Sequence, residues 1–390
     1  MVVLLKNVYH FLVAIAANLW FGFPARELTV IGVTGTDGKT TTSTLIYEIL
    51  KKANIKTSMI TSVHAVIAGR SYDTGFHVTT PTSWSVQKYL RKAVSSGDTH
   101  VVLEVTSHAL SQSRVLGIPF AIGVMTNVTH EHLDWHGSFE HYLVTKLSLL
   151  KKSAVVVINR DEADLFAAAI PYIRNKRYVT YGIRRDSMVN PKTHSFKLQL
   201  LGEFNRYNAL AAIAVSEVLG IRSFIWKRVM RSFKGVVGRM EIVSHKPIRV
   251  IVDFAHTPNA LLNALKTVRR MSKKRIIHVF GSAGLRDSSK RPMMGAASST
   301  YADISIITEE DYRTEDVEKI MDEIKAGIPD GKVVYRFPKR IDALRFALKT
   351  ATKGDIVIIT GKGHEKSLCR GTKEYPWSDQ KEVKKILKTL

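Results

Sequence analysis

A chain of 390 residues, 45% hydrophobic and 24% charged, has ample apolar mass for burial but is too long for one ordinary core, so it reads as two soluble globular domains. Its one cysteine, Cys369, excludes an internal disulfide and favours a cytoplasmic setting. The formal net charge of +24 reads first as a solvated basic surface, with a bias towards phosphorylated ligands, and no basic stretch carries the aromatic interleaving of nucleic-acid modules, so no nucleic-acid partner is expected.

Residues 1–28 form an apolar N-terminal extension. Within it YHFLVAIAANLWFGF (residues 9–23) is short for a membrane span and holds His10 and Asn18. Phe21-Gly-Phe-Pro is a poor signal-cleavage site. Two readings remain: a helix packed on the following domain, or an interfacial helix in peripheral contact with a membrane. From Glu27 onward short apolar runs alternate with helical segments. LTVIGVTG, HVVLEVTS, FAIGVMTNV and SAVVVINR read as buried strands, and TTSTLIYEILKKA has apolar residues at helical spacing. After Gly238 the pattern restarts with RVIVDFA, RIIHVFG, ADISIIT and DIVIITG. This predicts two α/β domains, with a boundary at Val237–Gly238. Ligands in such sheets gather beyond the carboxyl ends of the strands.

The stretch VTGTDGKTTTS (33–43) has the layout of a phosphate site: a strand, a loop rich in Gly and Thr, Lys39, then Thr40 opening a helix. It departs from the generic P-loop because Val33 stands where the first glycine belongs. Gly32 and Gly35 still allow the turn to approach phosphates closely.

TGTDGKTTT resembles the TGTNGKTT loop of the Mur ligases, ATP-dependent amide-forming enzymes of bacterial peptidoglycan synthesis. LEVTSHALSQSRV (103–115) resembles the E-V-S-S-H-x-L-x-Q-x-R-V stretch of the MurE branch, and TNVTHEHLDWHGSFEHYLVTKLSL (126–149) its T-N-L-S-x-D-H-L-D-Y-H-G-x-x-E-x-Y-x-x-A-K segment. GEFNRYNALAA, GRME, VDFAHTPNAL, FGSAGLRDSSKRPMMG and ITGKGHE follow in family order, so the likeness runs from Thr29 to Leu390. It implies an α/β fold: a central P-loop ATPase domain with a parallel-rich sheet at residues 29–237, and a C-terminal Rossmann-like α/β domain at 238–390.

The resemblance also implies an activity. Such enzymes phosphorylate a carboxylate with ATP and let an amine attack the acyl phosphate, so cations and oriented donors carry the catalysis. By position, Gly35, Thr36, Asp37, Gly38, Lys39, Thr40 and Thr41 form the ATP loop, joined by Asn205, Asn208, Arg239 and Asp253. Lys39 would hold the β/γ-phosphates. Thr40 and Glu104 would ligate one Mg²⁺, and His132 a second. Lys146 matches the lysine that this family carbamylates, giving N6-carboxylysine, a carboxylate-like magnesium ligand. Arg239 and His256 would act from the second domain, closing over the nucleotide. Thr79, Thr80, Thr106, Gln112 and Arg114 match contacts to the UDP-MurNAc-dipeptide, and Arg286, Glu310, Asp311, Arg313, Gly361 and Glu365 contacts to the incoming amino acid.

Taken singly these residues read blandly. A strand-end Glu is usually solvated, a lone His a surface or satisfied core residue, and a helical Lys a solvated cation. His130, His136 and His141 lie near His132 but lack a helical zinc signature and thiolates, so zinc is not expected. Arg313 could equally be a surface arginine paired with Glu309 or Glu315. If it stands in the family's D-N-P-R position, it suits a distal carboxylate and so meso-diaminopimelate over lysine or another diamine. Asp311 and Tyr312 replace Asn and Pro there, Asp37 replaces Asn, Thr106 replaces Ser, and Phe254 replaces Tyr.

MurE proteins carry a further N-terminal domain for the uridine diphosphate end of the substrate, and 28 apolar residues cannot replace it. The expectation is a MurE-type ligase lacking that domain, with basic surface or a partner protein supplying the grip, cytoplasmic or membrane-associated. The alternatives are a ligase or amidotransferase acting on a lipid-linked or other cell-wall precursor, a folylpolyglutamate synthase, or a non-catalytic ATP-binding relative.

Overall fold

The computed structural model describes residues 2–74, 79–129, 131 and 133–390. His132, and with it the expected second magnesium ligand, lies outside the described residues. Two compact units are present, Met1–Val128 with Ser138–Lys234, and Thr129–Gly137 with Gly235–Leu390.

In the first unit, α1 (Val2–Phe21) precedes β1 (Thr29–Thr34), which feeds the loop into α2 (Lys39–Lys52). The chain continues through β2 (Thr57–Ile60), β3 (Ala65–Ile67), β4 (Arg70–Tyr72), α3 (Ser83–Ser95), β5 (His100–Glu104), α4 (Ser107–Ser111) and β6 (Phe120–Met125). The short α5 (Leu133–His136) belongs to the second unit, after which α6 (Phe139–Lys152), β7 (Ser153–Asn159), α7 (Ala163–Ile173), β8 (Arg177–Tyr181), α8 (Glu203–Val218) and α9 (Ser223–Ser232) complete the first. Its strands form one sheet in the order β4-β3-β2-β5-β1-β6-β7-β8, parallel except for the pairs β2–β3 and β3–β4.

The parallel strands are Val- and Ile-rich because both faces of the sheet are covered. Glycine at position 32 is a packing requirement, since a Cβ there would lie 2.7 Å from the Phe120 ring on the neighbouring strand. β1 is therefore central, and its carboxyl end presents the Gly/Thr loop. The N-terminal helix is tied to this unit: Asn18 Nδ2 donates to Leu116 O at 3.0 Å, Arg91 of α3 donates to Phe21 O and Gly22 O, and Trp84 of α3 meets Trp20 and Phe21. Among the described residues no helix is long and apolar enough to cross a membrane.

The second unit holds β9 (Glu241–Ser244), β10 (Arg249–Val252), α10 (Pro258–Met271), β11 (Ile276–Phe280), α11 (Lys290–Tyr301), β12 (Ile304–Thr308), α12 (Val317–Lys325), β13 (Val333–Phe337), α13 (Arg340–Thr350), β14 (Ile356–Ile359), β15 (Ser367–Arg370), β16 (Lys373–Pro376) and α14 (Asp379–Leu387). Its main sheet runs β13-β12-β11-β14-β10-β9, parallel but for the edge strand β9. The strands predicted after Gly238 are the four central ones, β10, β11, β12 and β14. The loops that follow them carry the polar residues of this unit.

Candidate active site

The loop between β1 and α2 turns on two glycines in backbone conformations that other residues rarely adopt. Gly35 has φ 149°, and a Cβ on it would sit 1.8 Å from Thr126 Oγ1; Gly38 has φ 83°, and its Cβ would sit 2.3 Å from Asn208 Oδ1. Asn127 and Thr126 hold the loop from below. Thr36 N donates to Asn127 O, Asp37 N to Asn127 Oδ1, and Thr126 Oγ1 to Asp37 O at 2.7 Å. Asp37 thus has its backbone clamped on both sides. The first-turn amides of α2 point along the helix axis, the geometry in which a phosphate binds. Asn208 Nδ2 donates to Asn205 Oδ1, and Thr42 Oγ1 to Asn208 Oδ1, so the expected asparagines of α8 brace the start of α2, where Thr41 is also buried.

Two lysines converge on one carbonyl. Lys39 Nζ donates to Gly35 O at 3.1 Å and to Thr36 O at 2.8 Å, and Lys146 Nζ from α6 donates to the same Gly35 O at 2.7 Å. Lys146 is buried and lies over the Tyr142 ring, whose hydroxyl bonds Thr36 Oγ1. This is not the solvated cation that a helical lysine usually makes.

Glu104, at the end of β5, is almost wholly buried. Its carboxylate accepts from Thr40 Oγ1 at 3.1 and 3.2 Å, from Ser62 N at 3.1 Å and from Ser62 Oγ at 3.2 Å. A buried carboxylate facing two hydroxyls at a helix N-terminus is an all-oxygen donor set that fits Mg²⁺. Ser62 was not anticipated, since a lone serine after a strand carries no signal.

The expected dipeptide contacts cluster beside Glu104. Thr80 Oγ1 donates to Glu104 O and lies 3.3 Å from Thr106 Oγ1, and Thr106 caps α4 by accepting from Ala109 N. Arg114 Nη1 donates to Thr80 O at 2.6 Å, while its Nε and Nη2 both reach Gln112 Oε1. Burial lowers the Arg114 pKa from its ordinary value. Thr79 sits immediately before this cluster.

In the second unit Phe254 is the hub. Arg239 stacks on its ring with Cζ 4.3 Å from the centroid, and His256 and His364 pack at 4.7 and 4.8 Å. An aromatic face suffices for this packing. Asp253 accepts from Met240 N at 2.7 Å and Ala255 N at 2.8 Å, so its carboxylate shapes the loop that presents Arg239 and His256. Beside them lies a pair that sequence reasoning missed: Lys290 Nζ donates to Glu131 Oε1 at 2.9 Å, both buried, with His256 Nε2 3.9 Å from Glu131 Oε2.

The expected amino-acid contacts form a second cluster there. Asp311 accepts from Lys362 Nζ and from Cys369 N, and Lys362 also pairs with Glu365. Burial alone would lower the Lys362 pKa, but Glu365 and Asp311 outweigh it and raise it. Glu310 is enclosed against Gly361, where a Cβ would lie 2.6 Å from Glu310 Oε2. Burial first, then Asp311, push the Glu310 carboxyl up to about 7. Arg313 is not paired with Glu309 or Glu315 in the way a surface arginine would be: Glu309 holds Arg370, and Glu315 holds Arg291. Instead Arg313 adopts φ 53° and donates through Nη1 to Gly284 O at 2.6 Å. Arg286 is exposed on the same loop as Gly284.

Known proteins resemble this chain along most of its length. Residues 33–216 match the Mur ligase middle domain, and residues 238–363 the Mur ligase glutamate ligase domain. The chain is 37% identical to the UDP-N-acetylmuramoyl-L-alanyl-D-glutamate–2,6-diaminopimelate ligase of Aquifex aeolicus, over 95% of this chain and 80% of that protein. It belongs to the Mur ligase family. The ligase of the same name from Geobacillus kaustophilus is also 37% identical, over 90% of this chain and 77% of that protein. A solved structure of a ligase of that name superposes with a TM-score of 0.62 at 30% identity, covering 93% of this chain and 78% of that one. The wider Mur ligase fold extends to E. coli FolC, solved with DHPP and ADP, with a TM-score of 0.70 at 18% identity, covering 88% of this chain and 89% of that one.

Proposed function

We propose that this protein is an ATP-dependent ligase of MurE type, which joins meso-diaminopimelate to the D-glutamyl carboxylate of UDP-N-acetylmuramoyl-L-Ala-D-Glu. The observation that carries this reading is the convergence of Lys39, Lys146, Thr40 and the buried Glu104 around one glycine-bounded loop. The named relatives supply the substrate class.

In the first step a carboxylate oxygen of the dipeptide attacks the γ-phosphorus of ATP, giving an acyl phosphate and ADP. Lys39 and the first-turn amides of α2 counter the charge that shifts onto the β-phosphate. Thr40, Glu104 and Ser62 would hold Mg²⁺, which when bound neutralises phosphate oxygens. In the second step the amine attacks the acyl carbon, and inorganic phosphate leaves as the amide forms. Thr80, Thr106, Gln112 and Arg114 position the acyl donor. Arg239, Asp253 and His256 belong to the same reading as nucleotide residues. Arg313 is assigned to the distal carboxylate of diaminopimelate, and Glu310 and Glu365 to its distal ammonium.

Lys146 is read as N6-carboxylysine. The Lys146 amine would add to CO₂ and give up a proton, and the resulting carbamate nitrogen keeps one N–H, which Gly35 O can still accept. The test is phosphate release from ATP with UDP-N-acetylmuramoyl-L-Ala-D-Glu and meso-diaminopimelate, lysine or ornithine. Release dependent on diaminopimelate supports the reading, dependence on another amine reassigns Arg313, and no release with any of the three rejects it in favour of a lipid-linked acceptor or a non-catalytic role.

A further inference from the structure

Helix α1 is built inside out for a protein that meets only water. Its protein-facing seam is small: Ala14 and Ala17 are fully buried, with Asn18 beside them. Its large apolar residues point outward instead, with Trp20 75% exposed, Tyr9 and Leu19 64%, and Leu12 58%, joined by Val8, Phe11 and Ile15. A surface helix normally shows the reverse, its bulky stripe inward and charges outward. Asn18 enforces the rotation. Its Nδ2 donates to Ala14 O and Leu116 O, and Gly117 makes room for it, since a Cβ there would lie 2.5 Å from Asn18 Oδ1.

The surroundings specify what this face meets. Neither α1 nor α3 contains an Asp or Glu, while Lys6, Lys88, Arg91 and Lys92 lie on them. The first acid of the chain, Glu27, is paired with Arg91. Trp20, Phe21 and Trp84 gather at one end of the patch, with ring centroids 5.2–5.9 Å apart, and two of them, Trp20 and Trp84, are exposed. Apolar side chains on one helix, flanking lysines and a tryptophan cluster match the layered chemistry of a bilayer interface. A second copy is disfavoured, because it would set a like charge of +24 against the same bases.

We propose that the outward face of α1, with Trp84 and Lys88 of α3, docks this protein in the plane of an anionic lipid bilayer. The docking does not rest on the ligase reading. α1 lies in the headgroup layer, its Ala14–Ala17–Asn18 seam stays on the protein, and the lysines reach lipid phosphates.

The experiment is co-sedimentation of the full chain with vesicles of phosphatidylglycerol and phosphatidylcholine, and with phosphatidylcholine alone, at about 0.1 M salt. The wild type should bind the anionic vesicles and bind the zwitterionic ones more weakly. Combining Leu12→Gln, Leu19→Gln and Trp20→Gln should lower the partition coefficient by at least roughly tenfold. Combining Lys6→Gln and Lys88→Gln should lower it by roughly fivefold for each charge removed, on anionic vesicles only. All five positions are exposed, and circular dichroism checks that the variants stay folded. No binding to either vesicle, undiminished binding by the triple variant, or a dimer in analytical ultracentrifugation that the triple variant dissolves would each overturn the proposal.

Discussion

Lys362 places its ammonium 2.8 Å from both carboxylate oxygens of Asp311, and both side chains are buried. The Asp311 charge is therefore met inside the fold. Glu365 sits on the same ammonium, and Cys369 N donates to the same carboxylate. Removing the cation strands two acids, whereas removing one acid leaves the cation a partner. Lys362→Met should lower the unfolding free energy by about 3–5 kcal/mol, the usual effect of breaking a buried pair from one side. Asp311→Asn should have a clearly smaller effect. Urea unfolding of both variants decides this, and equal losses would show that Glu365 contributes nothing to holding Lys362.

Glu310 makes the same cluster sensitive to pH. Burial and Asp311 push its carboxyl up to about 7 in the fold, from its ordinary value of 4.5 when unfolded. Between those values the unfolded chain loses its proton while the folded one keeps it. The native state then binds more protons, and stability falls as pH rises through that window. The contribution is complete below about pH 4.5 and gone above about pH 7. From pH 5 to pH 8 the wild type should lose about 2–3 kcal/mol more than Glu310→Gln does. Urea midpoints of both proteins at the two pH values test it, and parallel losses would show that Glu310 ionises normally.

What was legible in the sequence follows from the range of the interaction. The phosphate loop is local: Gly35, Gly38, Lys39 and Thr40 lie within six residues, and their spacing announces a strand, a turn and a helix start. The strands announced themselves through β-branched runs, because a parallel sheet is buried on both faces. The ion pairs were not legible. Glu131 and Lys290 are 159 residues apart and Asp311 and Lys362 are 51 apart, so nothing in either neighbourhood marks its partner. Ser62 was hidden for the same reason, meeting Glu104 across 42 residues. The rotation of α1 was also unreadable, since an apolar segment does not reveal which of its faces turns inward.

The magnesium assignment makes a prediction at Glu104. The Thr40 and Ser62 hydroxyls already converge on its carboxylate, so Glu104→Gln keeps the shape and removes only the charge. Magnesium for half-maximal phosphate release should rise about 10–100-fold, while the thermal midpoint stays within a few degrees. An unchanged magnesium requirement would move the cation elsewhere.

The Lys146 assignment is open to direct observation. With ¹³C-bicarbonate, the wild type should show a carbamate carbon resonance that Lys146→Arg lacks. Lys146→Ala should abolish turnover, because it removes both the Gly35 contact and the added carboxylate. Full activity of Lys146→Ala would overturn the catalytic assignment, and a carbamate signal persisting in Lys146→Arg would place the modification on another amine.

Arg313 separates the candidate amino acids. Its left-handed backbone and its bond to Gly284 O fix the guanidinium beside the loop that carries Arg286, where a distal carboxylate would meet planar donors. A charge-assisted contact of this kind is worth about 1.5–3 kcal/mol, so Arg313→Ala should raise KM for diaminopimelate by roughly 10–150-fold. KM for ATP should change far less, because no assigned nucleotide contact is altered. Lysine, which has no distal carboxylate, should be used equally poorly by both proteins. If KM for ATP rises as much as KM for the amino acid, Arg313 supports the fold of its loop and does not read the substrate.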